Sequence, residues 1–230
     1  MIRKTKIIAT IGPATESRSN LKRIIKSGVN VCRLNFSHLE HDKAKEIISY
    51  IKSINQELNI NTAILADLQG PKIRIGKLNS PLDLQKGQSL VFSTLKKNKN
   101  NLFINYKNFA KDISAGDKIL LDDGKIQLKT IKTNKLDKVE TKVVFGGILT
   151  SNKGVNLPNT KISLPCLTKK DKKDLKFILT QKIEWLALSF VRSAEDVHEL
   201  RRILNRNKST LSIISKIEKP EAVEDIDEII

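Results

Sequence analysis

Cysteine is scarce in this sequence: Cys32 lies in an apolar run, Cys166 follows a proline, and the chain has no others. Two thiols this far apart in sequence offer neither a framework of disulfide bridges nor the paired spacing of a metal site. We interpret both as buried, reduced thiols.

Long hydrophobic runs are also missing. No apolar stretch approaches the ~20 residues that cross a bilayer, and the N-terminal segment Met1–Lys4 lacks the apolar core of a secretory signal. The sequence therefore predicts a soluble, cytoplasmic protein with no membrane partner. With 230 residues, 39% of them hydrophobic, it can form one large α/β domain or two smaller ones.

Aromatic residues are few: seven Phe, two Tyr and one Trp. The net charge of +17 and the pI near 9.8 are typical of a nucleic-acid-binding protein. The excess charge, however, is mostly lysine dispersed along the chain, without an arginine-rich arm or an aromatic platform. The densest run, Lys96–Asn101, is predicted to be a solvated loop. We expect no nucleic-acid partner and keep a basic nucleic-acid-binding protein as the rival hypothesis.

Extended apolar runs alternate with helical repeats at both ends of the chain. Strands are predicted at Lys6–Thr10, Val29–Asn35, Thr62–Asp67, Trp185–Val191 and Leu211–Ile217. Strands this uniformly apolar belong to a parallel sheet that is covered on both faces. Helix caps are predicted at Ser19, Thr168 and Ser193, and Pro220 is predicted to open the last helix.

The helical period disappears after Gly70-Pro71 for almost a hundred residues, which is too long for a loop inside a compact domain. Short β-like runs separated by glycine turns replace it, at Ser89–Phe92, Lys118–Leu121, Ile126–Ile131 and Val139–Phe145. The sequence thus predicts three parts: an α/β part at residues 1–71, an inserted all-β, barrel-like domain at 72–158, and a second α/β part at 159–230.

Polar residues collect at the carboxyl ends of the predicted strands: Asn35, Ser37, Asp67, Ser189, Lys216 and Glu218. A right-handed βα series builds either a doubly wound sheet or a (β/α)₈ barrel. In a barrel all these strand ends face one site, whereas in a doubly wound sheet only those near the switch point meet. No G-x-G-x-x-G or Walker signature is present. We therefore predict an α/β fold that is part of a (β/α)₈ (TIM) barrel.

Lys216 and Glu218 stand two residues apart at a strand end, so they point to the same side. An ammonium and a carboxylate in one small volume suit a phosphorylated substrate. The carboxylate can hold a divalent metal, and the ammonium can neutralise charge on a moving phosphoryl group. The alternative is a surface salt bridge beside a core strand.

Several multi-residue motifs, in their order along the chain, resemble those of the pyruvate kinase family. They are Lys4–Pro13, Arg33–His38, Asp67–Arg74, Leu121–Gly124, Lys153–Pro158, Leu188–Arg192 and Ser215–Glu218. This resemblance spans the whole chain. It implies a catalytic TIM barrel with a β-barrel lid after the third strand, and phosphoryl transfer from phosphoenolpyruvate to ADP in glycolysis, giving pyruvate and ATP. It also implies a C-terminal regulatory domain and a homo-oligomer, a tetramer, at full length.

The resemblance also implies roles for individual residues. Arg33 would engage the phosphoryl group, Lys216 would stabilise charge during transfer, and Glu218 would bind Mg²⁺ or Mn²⁺. Asn35, Ser37 and Asp67 match a monovalent-cation site with Ser189 close by, and Asn35, His38 and Arg74 match positions near the nucleotide. The alternatives are an Arg33 paired with a structural carboxylate, a helix-capping His38, and a plain turn at Asp122 and Asp123, the reading we prefer there.

Two departures from the family pattern matter. The chain ends at Ile230, before the strand that supplies the second metal-binding carboxylate, so we expect this N-terminal part to be inactive alone. Leu68 and Lys72 replace the Thr and Glu of K⁺-dependent members, so we expect Lys72 to act as a tethered cation and K⁺ not to be required. A Lys72 that merely points to solvent is the alternative. The runner-up activity is that of another phosphoenolpyruvate- or pyruvate-binding barrel, a lyase or aldolase that forms or cleaves a C–C bond.

Overall fold

The computed structural model describes residues 4–96 and 101–230. Residues 97–100, which make up most of the lysine run predicted to be a loop, lie outside the described residues. The chain forms two compact units, Met1–Pro71 with Pro165–Ile230 and Lys72–Leu164. The second unit therefore continues past residue 158, where the sequence placed its end. Along the described residues, no helix combines the length and the apolar character needed to span a bilayer.

The first unit begins with alternating strands and helices. In chain order they are β1 (Ile8–Ile11), α1 (Arg18–Lys26), β2 (Val31–Asn35), α2 (His41–Leu58) and β3 (Ala63–Asp67). Along α2, Ile47, Ile48, Ile51 and Ile54 are at most 2% exposed, because these positions lie on one helix face.

The second unit is built mainly from short strands. They are β4 (Leu82–Leu84), β5 (Ser89–Ser93), β6 (Leu102–Phe103), β7 (Lys118–Leu121), β8 (Ile126–Thr133), β9 (Lys138–Phe145), β10 (Gly147–Leu149) and β11 (Val155–Asn156). One short helix, α3 (Phe109–Asp112), lies between β6 and β7. Six strands form one sheet in the order β11-β7-β8-β9-β5-β6, and β10 pairs separately with β4. Their inward side chains form a core of their own.

The chain then returns to the first unit. Its remaining elements are α4 (Lys169–Ile178), β12 (Trp185–Val191), α5 (Ala194–Arg206), β13 (Ser212–Ile217), α6 (Pro220–Glu224) and α7 (Ile226–Ile229). The five strands of this unit form one parallel sheet in the order β1-β2-β3-β12-β13. Their spatial order equals their chain order, whereas a doubly wound sheet would reverse at a switch point. The five predicted strands are confirmed.

The structure confirms the predicted start of α4 but not that of α1. The capping box of α4 is confirmed, with reciprocal bonds between Thr168 and Asp171. The cap of α1 is Ser17, whose hydroxyl accepts from the Asn20 N–H, and the prediction of Ser19 was wrong. Both serines precede an apolar helical face, so position alone does not separate them. Ser193 does occupy the N-cap position of α5, but the Ala194 N–H bonds to the Asp225 carboxylate.

Gly146 and Gly147 follow the last of the predicted β-like runs, where a glycine turn was expected, yet Gly147 opens β10. A side chain at Gly146 would place its Cβ 2.0 Å from the Leu84 carbonyl oxygen. The glycine is needed because β4 and this segment approach each other closely, not because the chain reverses there.

Candidate active site

The candidate site lies at the carboxyl edge of the parallel sheet, where β2, β3, β12 and β13 end side by side. Asn35 and Asp67 are direct neighbours across β2 and β3, and Ala187 of β12 is the neighbour of Asp67 on the other side. The strand order therefore brings together polar residues that are far apart in sequence.

Asp67 is the centre of the cluster. Its side chain is 3% exposed, and both of its oxygens are engaged. Oδ2 accepts from Arg33 Nε at 2.7 Å, and Oδ1 accepts from Lys216 Nζ at 3.5 Å and lies 3.2 Å from Ser189 Oγ. A buried carboxylate needs such partners because it has lost its hydration. One carboxylate thus fixes the positions of a guanidinium and an ammonium.

Arg33 makes one further bond within the sheet. Its Nη1 donates to Thr10 Oγ1 at 2.8 Å, at the end of β1. The Arg33 side chain remains 29% exposed, so a ligand can approach the guanidinium from solvent. The alternative role of Arg33, pairing with a structural carboxylate, also fits its bond to Asp67. The geometry is therefore compatible with both that role and phosphoryl binding.

Lys216 and Glu218 do lie together, as their spacing predicted. Lys216 Nζ is 3.4 Å from Glu218 Oε1 and donates to Ser189 Oγ at 2.9 Å. The other Glu218 oxygen accepts from the backbone N–H of Phe190 at 3.0 Å. The Glu218 side chain is 36% exposed, so it meets solvent next to the buried cluster. Its carboxylate is oriented by one ammonium and one backbone amide.

Asn35 and Ser37 form the turn that follows β2. The Asn35 side-chain oxygen accepts from the Ser37 N–H at 3.0 Å, and the Phe36 N–H donates to the Asp67 carbonyl at 3.0 Å. These bonds place oxygen atoms of Asn35 and Asp67 on adjacent strand ends. Oxygen donors of this kind suit a hard cation.

His38 is exposed and lies at the edge of a cavity of about 360 Å³. The N-cap position of α2 is occupied by Glu40, so the capping interpretation of His38 was wrong. The Asp174 carboxylate, 4% exposed, also lines this cavity and accepts from Lys170 Nζ at 2.6 Å. Lys170 Nζ in turn donates to the Phe36 carbonyl at 2.6 Å and so ties α4 to the turn after β2.

The segment after β3 is anchored by Asp171, which is 0% exposed. Asp171 Oδ1 accepts from the Gly70 N–H at 3.2 Å, while Oδ2 completes the capping box of α4. Gly70 has a φ of +68°, and a Cβ there would lie 2.9 Å from the Phe190 ring and 3.1 Å from the Ser189 carbonyl oxygen. The backbone therefore requires glycine at this position.

Glu218 has the donor chemistry for a divalent metal. Among residues 4–96 and 101–230, no group of three or more His, Cys, Asp or Glu side chains is arranged to hold a metal ion. Mg²⁺, however, usually keeps several waters and binds through one or two carboxylates together with substrate phosphates. A single, partly exposed carboxylate beside a cationic cluster fits one position of such a site.

The second unit carries the remaining predicted residues. Arg74 Nη1 donates to the Asn152 carbonyl at 2.6 Å, and the Lys72 carbonyl accepts from Asn105 Nδ2 at 3.4 Å. Asp122 and Asp123 have φ values of +49° and +57° in the tight connection between β7 and β8. Asp122 pairs with Lys153 at 2.7 Å and Lys125 at 3.3 Å. The turn interpretation of the two aspartates agrees with this geometry.

Sequence analysis did not identify four residues that contribute to the cluster or to the cavity beside it: Thr10, Lys170, Asp174 and Phe190. Thr10 is the last residue of the first predicted strand, so the search for polar residues at strand ends could have identified it. The i, i+4 spacing of Lys170 and Asp174 is a recognisable pair on a helix face. The Phe190 contribution is a backbone N–H, which no residue pattern reveals.

Comparisons with known proteins bear on the family of this chain. A sequence model described as pyruvate kinase, barrel domain, matches residues 2–230. A pyruvate kinase of Buchnera aphidicola subsp. Acyrthosiphon pisum is 43% identical over 227 residues, which are 96% of this chain and 47% of that protein. Pyruvate kinases of Sporosarcina psychrophila and Geobacillus stearothermophilus are 43% and 41% identical, over 100% of this chain and 40% of theirs. The chain thus spans about half the length of the curated relatives it matches, or somewhat less.

Proposed function

Because this chain belongs to the pyruvate kinase family, we propose that the full-length protein transfers a phosphoryl group from phosphoenolpyruvate to ADP, giving pyruvate and ATP. The observation that carries this proposal is the Asp67 carboxylate, which holds Arg33 and Lys216 at one sheet edge beside Glu218. Two fixed cations next to a metal-binding carboxylate are what a migrating phosphoryl group requires.

Arg33 and Lys216 contribute differently. The planar Arg33 guanidinium has N–H donors left after its bonds to Asp67 and Thr10. These donors can bind two oxygens of one phosphoryl group. The Lys216 ammonium is a compact charge held by Asp67 and Ser189. It stabilises negative charge that develops on the oxygen between phosphorus and the three-carbon unit. Neither group needs to move during the reaction, since both are already positioned.

Glu218 is the proposed ligand of Mg²⁺ or Mn²⁺. When bound, the metal would neutralise charge on the phosphoryl oxygens and help to align the two substrates. The protein's part is to orient the Glu218 carboxylate, which accepts from the Phe190 N–H at 3.0 Å.

Asn35, Ser37 and Asp67 are proposed as the monovalent-cation region, with Lys72 supplying the cation so that K⁺ is not required. Leu68 supports this proposal: its side chain is 1% exposed within the apolar core and offers no oxygen ligand to an ion. A site with one oxygen donor fewer binds K⁺ less well.

His38, Asn35 and Arg74 are proposed to contact ADP. The cavity beside His38 supports this for the first unit through its position alone, because Glu40, Asp42 and Asp174 line it together with Lys170 and Lys173. The second unit, a mostly antiparallel set of strands, is proposed as the lid that covers the nucleotide. We further propose, on family membership, a complete (β/α)₈ barrel and a cytoplasmic homo-oligomer, a tetramer, at full length, without nucleic-acid or membrane partners.

The test is a coupled assay of the full-length gene product with phosphoenolpyruvate, ADP and Mg²⁺, which should give ATP and pyruvate together. Lys216→Met should abolish most of the activity, while Lys176→Met, at an exposed position on α4, should leave it intact. Release of inorganic phosphate or a C–C bond product without ATP would favour a lyase or aldolase. Salt-sensitive DNA binding without ATP formation would favour the nucleic-acid hypothesis.

A further inference from the structure

The pairing of β12 with β13 contains a bulge at the candidate site. Leu188 pairs with Ser215, but the next pair is Val191 with Ile217. The chain thus advances three residues on β12 and only two on β13, which leaves one extra residue within Ser189-Phe190. Bulges are uncommon between parallel strands, and they often lie next to active sites because they re-aim side chains and backbone groups.

Phe190 accommodates the extra residue through an unfavourable backbone conformation. Its φ is +58°, in the left-handed region that bulky side chains rarely adopt. Such conformations persist only where the surrounding structure enforces them, and they concentrate at functional sites.

The bulge directs two polar groups, the Ser189 hydroxyl and the Phe190 N–H, toward the cluster at once. Ser189 Oγ donates to the Leu68 carbonyl at 2.6 Å and lies within hydrogen-bonding distance of both Asp67 and Lys216. The Phe190 N–H points to Glu218 Oε2 at 3.0 Å. In a regular strand, consecutive residues point their side chains to opposite faces and their N–H groups to opposite neighbours. The extra residue lets adjacent residues serve one site.

Groups packed behind the bulge hold it in place. Gly70 leaves the space that the Phe190 ring and the Ser189 carbonyl occupy, and Asp171 fixes Gly70 through its N–H. The Cys166 thiol donates to the Ser189 carbonyl at 3.3 Å and is 3.8 Å from the Phe190 carbonyl. These contacts also explain why a buried thiol stands at position 166.

We propose that Phe190 is a positioning residue whose left-handed backbone, rather than its phenyl ring, orients Glu218 for the divalent cation. The inference rests on the proposed function, since it takes Glu218 as the metal ligand. It predicts that metal affinity follows the ability of residue 190 to adopt positive φ. A role confined to packing predicts instead that affinity and stability follow the apolar bulk at this position.

The decisive comparison is Phe190→Gly against Phe190→Ala in the full-length protein, because both lack the ring and only alanine is disfavoured at positive φ. The probe is Mn²⁺ alone, with its dissociation constant measured from the electron paramagnetic resonance of the free ion. We expect Phe190→Ala to bind Mn²⁺ about fivefold or more weakly than Phe190→Gly. Phe190→Asn should resemble glycine, and Phe190→Val should be weakest, about 10- to 100-fold below wild type. Melting temperatures are recorded for each variant.

Glu218→Gln tests the metal role of Glu218 separately from the positioning role of Phe190. If Glu218→Gln weakens Mn²⁺ binding while the glycine and alanine variants bind within twofold of each other, the Phe190 inference is overturned and the metal role of Glu218 stands. If Glu218→Gln binds Mn²⁺ as tightly as wild type, both are overturned. If Phe190→Val does not fold, the glycine–alanine pair still decides, since those two variants differ by one methyl group.

Discussion

Arg33 Nε lies 2.7 Å from Asp67 Oδ2, across two neighbouring strands and at a carboxylate that is almost fully buried. The other Asp67 oxygen faces Lys216, so a single negative charge separates two cations that must both meet the substrate. Without that charge, the two cations would repel each other in a poorly solvated region. Asp67 is therefore expected to matter for both stability and catalysis.

The first prediction concerns Asp67→Asn, which keeps the size of the side chain and removes its charge. We expect the free energy of unfolding to fall by about 2 kcal/mol, less than for a fully buried pair because both cations are partly exposed. Urea denaturation followed by circular dichroism measures this loss. Asp83→Asn, at an exposed position of β4, is the matched control and should change stability by less than about 0.5 kcal/mol. Equal stability of Asp67→Asn and wild type would contradict the central role of this carboxylate.

Lys216→Met should separate catalysis from metal binding. Loss of the ammonium should lower kcat about 10²- to 10³-fold, as when one preorganised donor to developing charge is removed. Mn²⁺ should nevertheless bind at least as tightly as in wild type, because the variant removes a cation 3.4 Å from Glu218 Oε1. Steady-state kinetics and Mn²⁺ titration measure the two effects. Weaker Mn²⁺ binding in this variant would show that Lys216 supports the metal site rather than competing with it.

Much of this site could be predicted from the sequence because of strand topology. Parallel strands joined by helices end at one edge, so Asp67, Ser189, Lys216 and Glu218 were expected to meet although they are far apart in the chain. Alternating positions on one strand placed Lys216 and Glu218 on one side, and their nitrogen and oxygen do lie 3.4 Å apart. The assignment of roles to these residues stays a prediction.

The features that escaped prediction depend on single backbone conformations and very short pairings. The bulge at Phe190 adds one residue to a strand that reads as regular, so neither its φ nor its N–H contact has a sequence signal. β6 and β11 have only two residues each, too few to show a period of two. They form through pairing with residues distant in the chain, which local patterns do not encode.

Tyr106 gives a pH-dependent prediction within the second unit. Its hydroxyl donates to the Asp112 carboxylate, and burial together with this bond raises the Tyr106 pKa to about 12. A tyrosine free in the unfolded chain has a pKa near 10. The stabilisation from protonated Tyr106 is therefore fully present below about pH 10 and is lost as the pH rises through about 12.

Tyr106→Phe removes both the hydrogen bond and its titration. At pH 8 the variant should be less stable than wild type by about 1–2 kcal/mol, since the partly buried Asp112 carboxylate loses a donor. The difference should shrink between pH 10 and 11, because Tyr106 of the wild type ionises in the unfolded chain, where its pKa is near 10, while it stays protonated in the native state. Tyr50→Phe is the control, because the Tyr50 hydroxyl bonds to Glu46 at an exposed site. A gap between wild type and Tyr106→Phe that stays constant up to pH 11 would contradict the assignment.

The last prediction concerns Lys72, the first residue of the second unit and five positions after Asp67 in the chain. K⁺-dependent members of the family carry Glu at this position, and the added negative charge recruits a monovalent cation. Lysine brings a positive charge that cannot dissociate. Leu68 is buried, and its side chain has no oxygen that could bind an ion. We therefore expect the full-length enzyme to be active in tetramethylammonium buffer free of Na⁺ and K⁺.

Lys72→Glu should make activity depend on added K⁺, with a low rate in tetramethylammonium buffer that K⁺ restores at least tenfold. Lys77→Glu changes charge by the same amount at an exposed position of the same unit, so it should stay independent of K⁺. Initial rates are measured against K⁺ at constant ionic strength, because salt alone screens a basic protein. A wild type that K⁺ stimulates a hundredfold would rule out the tethered cation. Equal K⁺ responses of Lys72→Glu and Lys77→Glu would show that the K⁺ dependence comes from the change in net charge and not from position 72.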